Sequence, residues 1–136
     1  MDLSPEALGG TFDIVLFLGV LYHMRDPVGA LERVASVTGE LLIVETEVGM
    51  LLHRAPAASF YPAAELHGDP TNWWAPNVAA VAGMLRAVGF DRVEVVWRPN
   101  LGRRVARWAK ATVRGTVDRS LLDAAQRSRF VFHAMR

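Results

Sequence analysis

The feature that most constrains this chain is the run FDIVLFL at residues 12–18, followed at once by GVLYHMRDP. An almost unbroken apolar run of β-forming residues is expected to be a strand covered on both faces, and therefore central in a parallel sheet. Asp26 and Pro27 then supply a helix N-cap and a first-turn proline. Val28, Leu31, Val34 and Ala35 make the inward stripe of that helix, and Gly39 is expected to end it. Residues 40–45 (ELLIVE) read as a second buried strand. A strand, a helix and a second strand in succession call for a crossover connection, so the fold class is α/β with helices on the sheet faces.

Residues 49–75 have no sustained period and contain Pro56, Pro62 and Pro70, which predicts a long loop with one short helix. Asn77 caps a helix running to Val88, with Val78, Val81, Ala82, Leu85 and Val88 on one face and Gly89 closing it. Strands are expected over residues 92–97 and 130–135. Between them, residues 99–128 form a basic helical insertion: Leu101, Val105, Trp108 and Thr112 share one helical face, while Arg103, Arg107, Lys110 and Arg114 share another. A second short helix is expected over 119–127, capped by Asp118.

Charge is divided unevenly. Residues 1–97 hold 5 basic and 12 acidic side chains, whereas residues 98–136 hold 10 and 2, so net charges of −7 and +8 face each other along one chain. The basic end admits a non-catalytic reading, a module that binds RNA or another polyanion. With no cysteine, disulfides and thiolate metal sites are excluded. No His, Asp or Glu spacing suggests a metal, and no phosphate loop or Ser-His-Asp arrangement is present. The apolar runs fall short of the roughly 20 residues a membrane helix needs, and residues 1–5 lack a secretory pattern. A single cytoplasmic domain without membrane contact is the expectation.

Two stretches go beyond generic pattern: residues 12–27, and residues 67–77 (HGDPTNWWAPN). Together they resemble the tRNA wobble-uridine carboxymethyltransferases and their relatives. The resemblance implies a Rossmann-type methyltransferase fold of seven strands, of which this chain carries the C-terminal part: the last four strands, with an antiparallel final strand. It implies S-adenosylmethionine, or a carboxylated derivative, as methyl donor, and tRNA or a small metabolite as acceptor. The glycine-rich turn and the acidic residue that would hold most of the donor are expected upstream; Gly9 and Gly10 precede a strand instead of following one. The expectation is a fragment, or a reading frame cut by a misplaced start, inactive or weakly active alone. Residues 12–18 then become a sheet edge that self-associates or pairs with a chain carrying the other half.

Methyl transfer from a sulfonium is an in-line displacement in which alignment outweighs proton transfer. Leu18, Gly19 and Tyr22 sit at the carboxyl end of the first strand, where open α/β sheets bind ligands. Tyr22 either lays its ring near the sulfonium, a contact of roughly 0.5–2 kcal/mol, or braces the turn; the resemblance implies donor contact. His23 is a candidate base or a structural turn residue. By the same resemblance Arg129 pairs with the extra carboxylate of a carboxylated donor, the alternative being an ordinary surface arginine. Asp69, Asn72, Trp73 and Trp74 form a polar and aromatic loop on the acceptor side, with the tryptophans either a lid or a core plug. Glu45 is an acceptor ligand or, preferentially, a loop anchor.

Overall fold

The computed structural model describes residues 3–100 and 126–136, with Gly102, Ala106 and Ala109 between them. In order along the chain come helix α1 (Pro5–Leu8), strand β1 (Phe12–Leu18), one 3-10 turn (Leu21–His23), helix α2 (Pro27–Ser36) and strand β2 (Thr38–Val48). Short strands β3 (Ala58–Phe60) and β4 (Trp74–Pro76), helix α3 (Val78–Ala87), and strands β5 (Arg92–Trp97) and β6 (Ser128–Met135) complete it. The main sheet has the order β1-β2-β6-β5. β1 and β2 run parallel, and β6 is antiparallel to both β2 and β5. The α/β class with an antiparallel final strand is therefore the observed one. The basic helices expected within residues 99–128 lie largely outside the described residues.

Alternation along the strands sorts the sheet into two faces. Leu42, Val44 and Val48 of β2, with Phe130, Phe132 and Ala134 of β6, point to one side, where Leu31, Val34 and Ala35 of α2 and Val81 and Leu85 of α3 cover them. Val15 and Phe17 of β1 pack at the margin of this core. The other side of β1 has no such cover: Ile14 is 59% exposed and Leu16 61%, with Phe12 and Leu18 close behind. Among the described strands β1 lies at the sheet edge, the position expected of it once no earlier strand pairs with it, whereas the reading of a central strand buried on both faces does not hold here. Apolar content shows that a strand wants cover, but the number of strands beyond it is not written in the run itself.

Helix ends follow local chemistry, with one correction. Asp26 Oδ1 accepts from the Gly29 backbone N–H at 2.9 Å, and Pro27 opens α2 as its sequence requires. The helix stops at Ser36, before Gly39, because Thr38 Oγ1 donates to the Val34 carbonyl at 2.8 Å and satisfies the last turn. Gly39 instead lies inside β2, where a Cβ would sit 3.3 Å from the Phe12 carbonyl oxygen. Residues 49–75, expected as a loop with one short helix, contribute β3 and the first two residues of β4, with which β3 pairs.

Asn77 does more than cap. Its Oδ1 accepts from Ala80 N at 2.8 Å and from Ala57 N at 3.3 Å, while its Nδ2 donates to the carbonyls of His53 (3.0 Å) and Ala55 (2.6 Å). The side chain is buried, so it joins the start of α3 to the long loop with all its hydrogen bonds satisfied. Asn77→Ala is expected to cost about 2–4 kcal/mol, the sum of a lost cap and of buried groups left unpaired. Urea denaturation checks this; a loss below about 1 kcal/mol, the cap alone, contradicts the pinning role.

Candidate active site

The carboxyl ends of β1 and β2 and the start of antiparallel β6 meet at one edge of the sheet. At that edge the chain leaves β1 through Gly19, whose φ of +70° is the left-handed conformation that glycine adopts without strain. Its N–H donates to the Glu45 carbonyl at 2.9 Å. This turn brings Tyr22 over the end of β2, and β6 brings Arg129 beside it.

Arg129 Nη2 donates to the Tyr22 hydroxyl at 2.8 Å, and Nη1 reaches the Glu45 carboxylate at 3.3 and 3.4 Å. The guanidinium carbon lies 5.5 Å from the Tyr22 ring centroid. Gly19 borders the same group, since a Cβ there would lie 3.6 Å from both Tyr22 Oη and Glu45 Oε2. Burial pushes the Tyr22 phenol above its ordinary value of 10.0; Arg129 pulls it down, and Glu45 and Glu47 push it up. At neutral pH the phenol is therefore protonated, accepting from Arg129 with its own hydrogen left to donate.

His23 packs its ring on Tyr22, centroids 4.3 Å apart. Its Nδ1 lies 2.9 Å from the Thr71 carbonyl oxygen and 3.1 Å from Thr71 Oγ1. That hydroxyl spends its hydrogen on Asp69 Oδ1 at 2.7 Å, so both atoms facing Nδ1 are acceptors and Nδ1 carries the proton. In that tautomer Nε2 is the ring nitrogen left to accept a hydrogen bond.

Asp69 and Asn72 brace the loop from within. Asp69 accepts from the backbone N–H and the hydroxyl of Thr71, and these bonds hold its carboxyl below the ordinary 3.8. A depressed carboxyl favours the folded loop above its unfolded pKa, and that advantage is lost as pH falls through the folded value. Carbon-detected NMR titration is expected to give an Asp69 midpoint below 3.8, rising towards the ordinary value in Thr71→Val; an unchanged midpoint contradicts the assignment. Asn72 is buried, with Nδ2 donating to the Leu66 carbonyl at 2.8 Å. Its Oδ1 and Trp74 Nε1 have no hydrogen-bond partner among the described residues.

Trp73 and Trp74 are neither fully plugged nor free. The Trp73 N–H donates to the Tyr22 carbonyl at 2.8 Å, which ties the tryptophan pair to the Tyr22 turn. Arg25, Phe60, Trp73 and Trp74 line an open cleft of about 210 Å³. The structure therefore brings Gly19, Tyr22, His23, Glu45 and Arg129 together, sets Trp73 and Trp74 alongside, and turns Asp69 and Asn72 to loop support. Leu18, half exposed, lies on the open face of β1.

Sequence reasoning missed four neighbours. Arg25 and Phe60 flank turns and follow no period. Glu47 continues the alternation from Glu45, a signal that was available, and it is buried against His67 Nε2 at 3.3 Å. His67 reaches that carboxylate from a left-handed backbone, φ +60°. Among the described residues no group of three or more His, Cys, Asp or Glu side chains is placed to hold a metal ion. No described helix is long and apolar enough to cross a membrane.

No family model matches the chain. It is 35% identical over 96 residues to a tRNA U34 carboxymethyltransferase of Dichelobacter nodosus, a match covering 69% of this chain and 28% of that protein. The corresponding enzyme of Azotobacter vinelandii is 37% identical over 99 residues, covering 68% and 28%. The chain thus matches little more than a quarter of the length of these relatives. Among solved structures, the N-terminal domain of EvdMO1 with SAH bound superposes with a TM-score of 0.59 at 20% identity, over 99% of this chain and 49% of that one. An O-methyltransferase from a trans-AT PKS multienzyme of Brevibacillus brevis, in complex with S-adenosyl-L-homocysteine, gives 0.52 at 14% identity, over 91% and 43%.

Proposed function

We propose that this chain, a relative of the tRNA U34 carboxymethyltransferases with a Rossmann-type methyltransferase fold, forms one wall of a methyl-donor cleft. In this reading Tyr22 and Arg129 meet the sulfonium end of S-adenosylmethionine or of its carboxylated derivative. The observation that carries it is the 2.8 Å bond from Arg129 to the Tyr22 hydroxyl at the carboxyl ends of the parallel strands. Open α/β sheets bind their ligands at such ends.

When bound, the donor supplies an electrophilic carbon on a sulfonium sulfur, which departs as a neutral thioether with the bonding pair. The residues of this chain align it. Arg129 offers two N–H groups on one planar edge, a match for a carboxylate, and the neutral phenol of Tyr22 adds a donor. Glu45 holds the guanidinium in place until a ligand carboxylate competes for it. A guanidinium here disfavours a bare sulfonium cation and favours one carrying a compensating carboxylate, so the carboxylated donor is the preferred form. His23 Nε2 is the base available to take the proton an acceptor sheds. The acceptor is a tRNA nucleoside, by analogy with the names of the relatives, and the setting is the cytoplasm.

For a donor met only by this strand-end wall, affinity near the 1 mM scale, about 4 kcal/mol, is the expectation. NMR titration of the chain with both donor forms is expected to give roughly tenfold or greater preference for the carboxylated one, the worth of a charge-assisted hydrogen bond. Equal binding, or preference for S-adenosylmethionine, contradicts the carboxylated reading. No binding of either form contradicts the donor wall.

A further inference from the structure

Among the described residues Glu47 is the only acidic side chain that is buried, at 3% exposure, and the donor wall leaves it without a task. It stands opposite Arg129 across β2 and β6, on the same face of the sheet. The guanidinium nevertheless reaches Tyr22 and Glu45, and the Glu47 carboxylate is met instead by His67 Nε2 at 3.3 Å. A carboxylate taken out of water needs such a partner. His67 belongs to a loop over residues 61–73 whose ends are joined at a neck, where Tyr61 N donates to the Trp73 carbonyl at 2.8 Å and Phe60 pairs with Trp74. At its tip φ is +60° for His67 and +73° for Gly68, a sharp turn that brings the imidazole down on β2. The loop in this position is only partly satisfied: Asn72 Oδ1 and Trp74 Nε1 are buried with no hydrogen-bond partner among the described residues. Lifting the loop lets water reach them, which lowers the cost of opening.

We propose that Glu47 and His67 form a latch that keeps Arg129 free for the donor. With the loop down, His67 answers Glu47, and the guanidinium stays with Tyr22 and Glu45. With the loop lifted, Glu47 loses His67, and its register partner Arg129 is the cation within reach, since facing residues of antiparallel strands hold their Cβ atoms about 4.5–5.5 Å apart. The ion pair formed then draws the guanidinium off Tyr22. A donor carboxylate therefore binds the latched form better, and by linkage its binding holds the loop down. Glu47 and His67 are thus positioning residues that act through Arg129. The inference rests on the donor wall for the role of Arg129; the hold of His67 on the loop is separable from it.

Amide hydrogen exchange and donor titration, both read by NMR on this chain and on two variants, test the latch. His67→Asn keeps a residue that tolerates the left-handed backbone but is too short to reach Glu47. It is expected to speed exchange about fivefold or more at the Asp69 and Asn72 amides, which bond within the loop to the carbonyls of Leu66 and Asp69. The neck amides of Tyr61 and Trp73 should stay as they are. The same variant is expected to weaken the carboxylated donor about fivefold or more. Adding Glu47→Gln removes the charge that competes for Arg129, so the double variant should bind the carboxylated donor as tightly as the parent chain. A pair with a merely structural role would add a second loss in place of this rescue. Unchanged exchange at Asp69 and Asn72 or unchanged donor affinity in His67→Asn, or no rescue in the double variant, overturns the proposal. If neither donor form binds the parent chain, the donor wall fails, and the exchange rates alone decide whether His67 holds the loop.

Discussion

In sedimentation velocity this chain is expected to self-associate, and the double substitution Ile14→Lys, Leu16→Lys is expected to return it to a monomer. Along the outer edge of β1 no strand pairs among the described residues, and beside that edge runs an exposed stripe of Phe12, Ile14, Leu16 and Leu18. A flat apolar edge of this kind pairs with another copy unless charge blocks it. Two lysines forced against a second copy are expected to weaken association at least about 100-fold, roughly 2.8 kcal/mol. Both side chains point outward, so unfolding should change by only about 0.5 kcal/mol. A parent chain that is monomeric at high micromolar concentration contradicts the prediction.

The second large effect concerns Arg129. Arg129→Leu removes the N–H edge that faces Tyr22 and Glu45, and is expected to abolish preference for the carboxylated donor, a loss of about 10- to 100-fold for that form. Arg129→Lys should retain only part of the preference, because an ammonium keeps the charge without the planar fork. If Arg129→Leu leaves the ratio of the two donor forms unchanged, the arginine serves Glu45 alone.

Much of the fold was legible wherever one local cause decides the outcome. Asp26 with Pro27 started a helix, Asn77 started another, and Gly89 closed it at φ +101°. Where several distant causes compete, the sequence was less informative. The run at 12–18 predicted cover on both faces, but cover depends on what else packs there. Gly39 looked like a helix end because the hydroxyl that in fact ends α2, that of Thr38, signals its role only once it lies against the Val34 carbonyl.

The site divides in the same way. Tyr22, His23 and Glu45 follow from the strand ends, and Arg129 came from the resemblance; register then brings Arg129 within reach of Tyr22 because Val131 stands opposite Glu45 across β2 and β6. Asp69 and Asn72 were grouped with the acceptor loop on residue type, yet short polar side chains near a turn bond their own backbone as readily as a ligand. Arg25 and Phe60 carried no periodic signal, and their meeting with Trp73 depends on β3 pairing with β4, a contact between strands of three residues each that pattern alone does not reveal.

A residue-resolved map of amide shifts during titration with the carboxylated donor tests the account most directly. Perturbations concentrated at Gly19, Tyr22, Glu45 and Arg129, with residues 92–97 silent, are the predicted result. Shifts confined to the outer face of β1 or to β5, with Tyr22 and Arg129 unmoved, would contradict it.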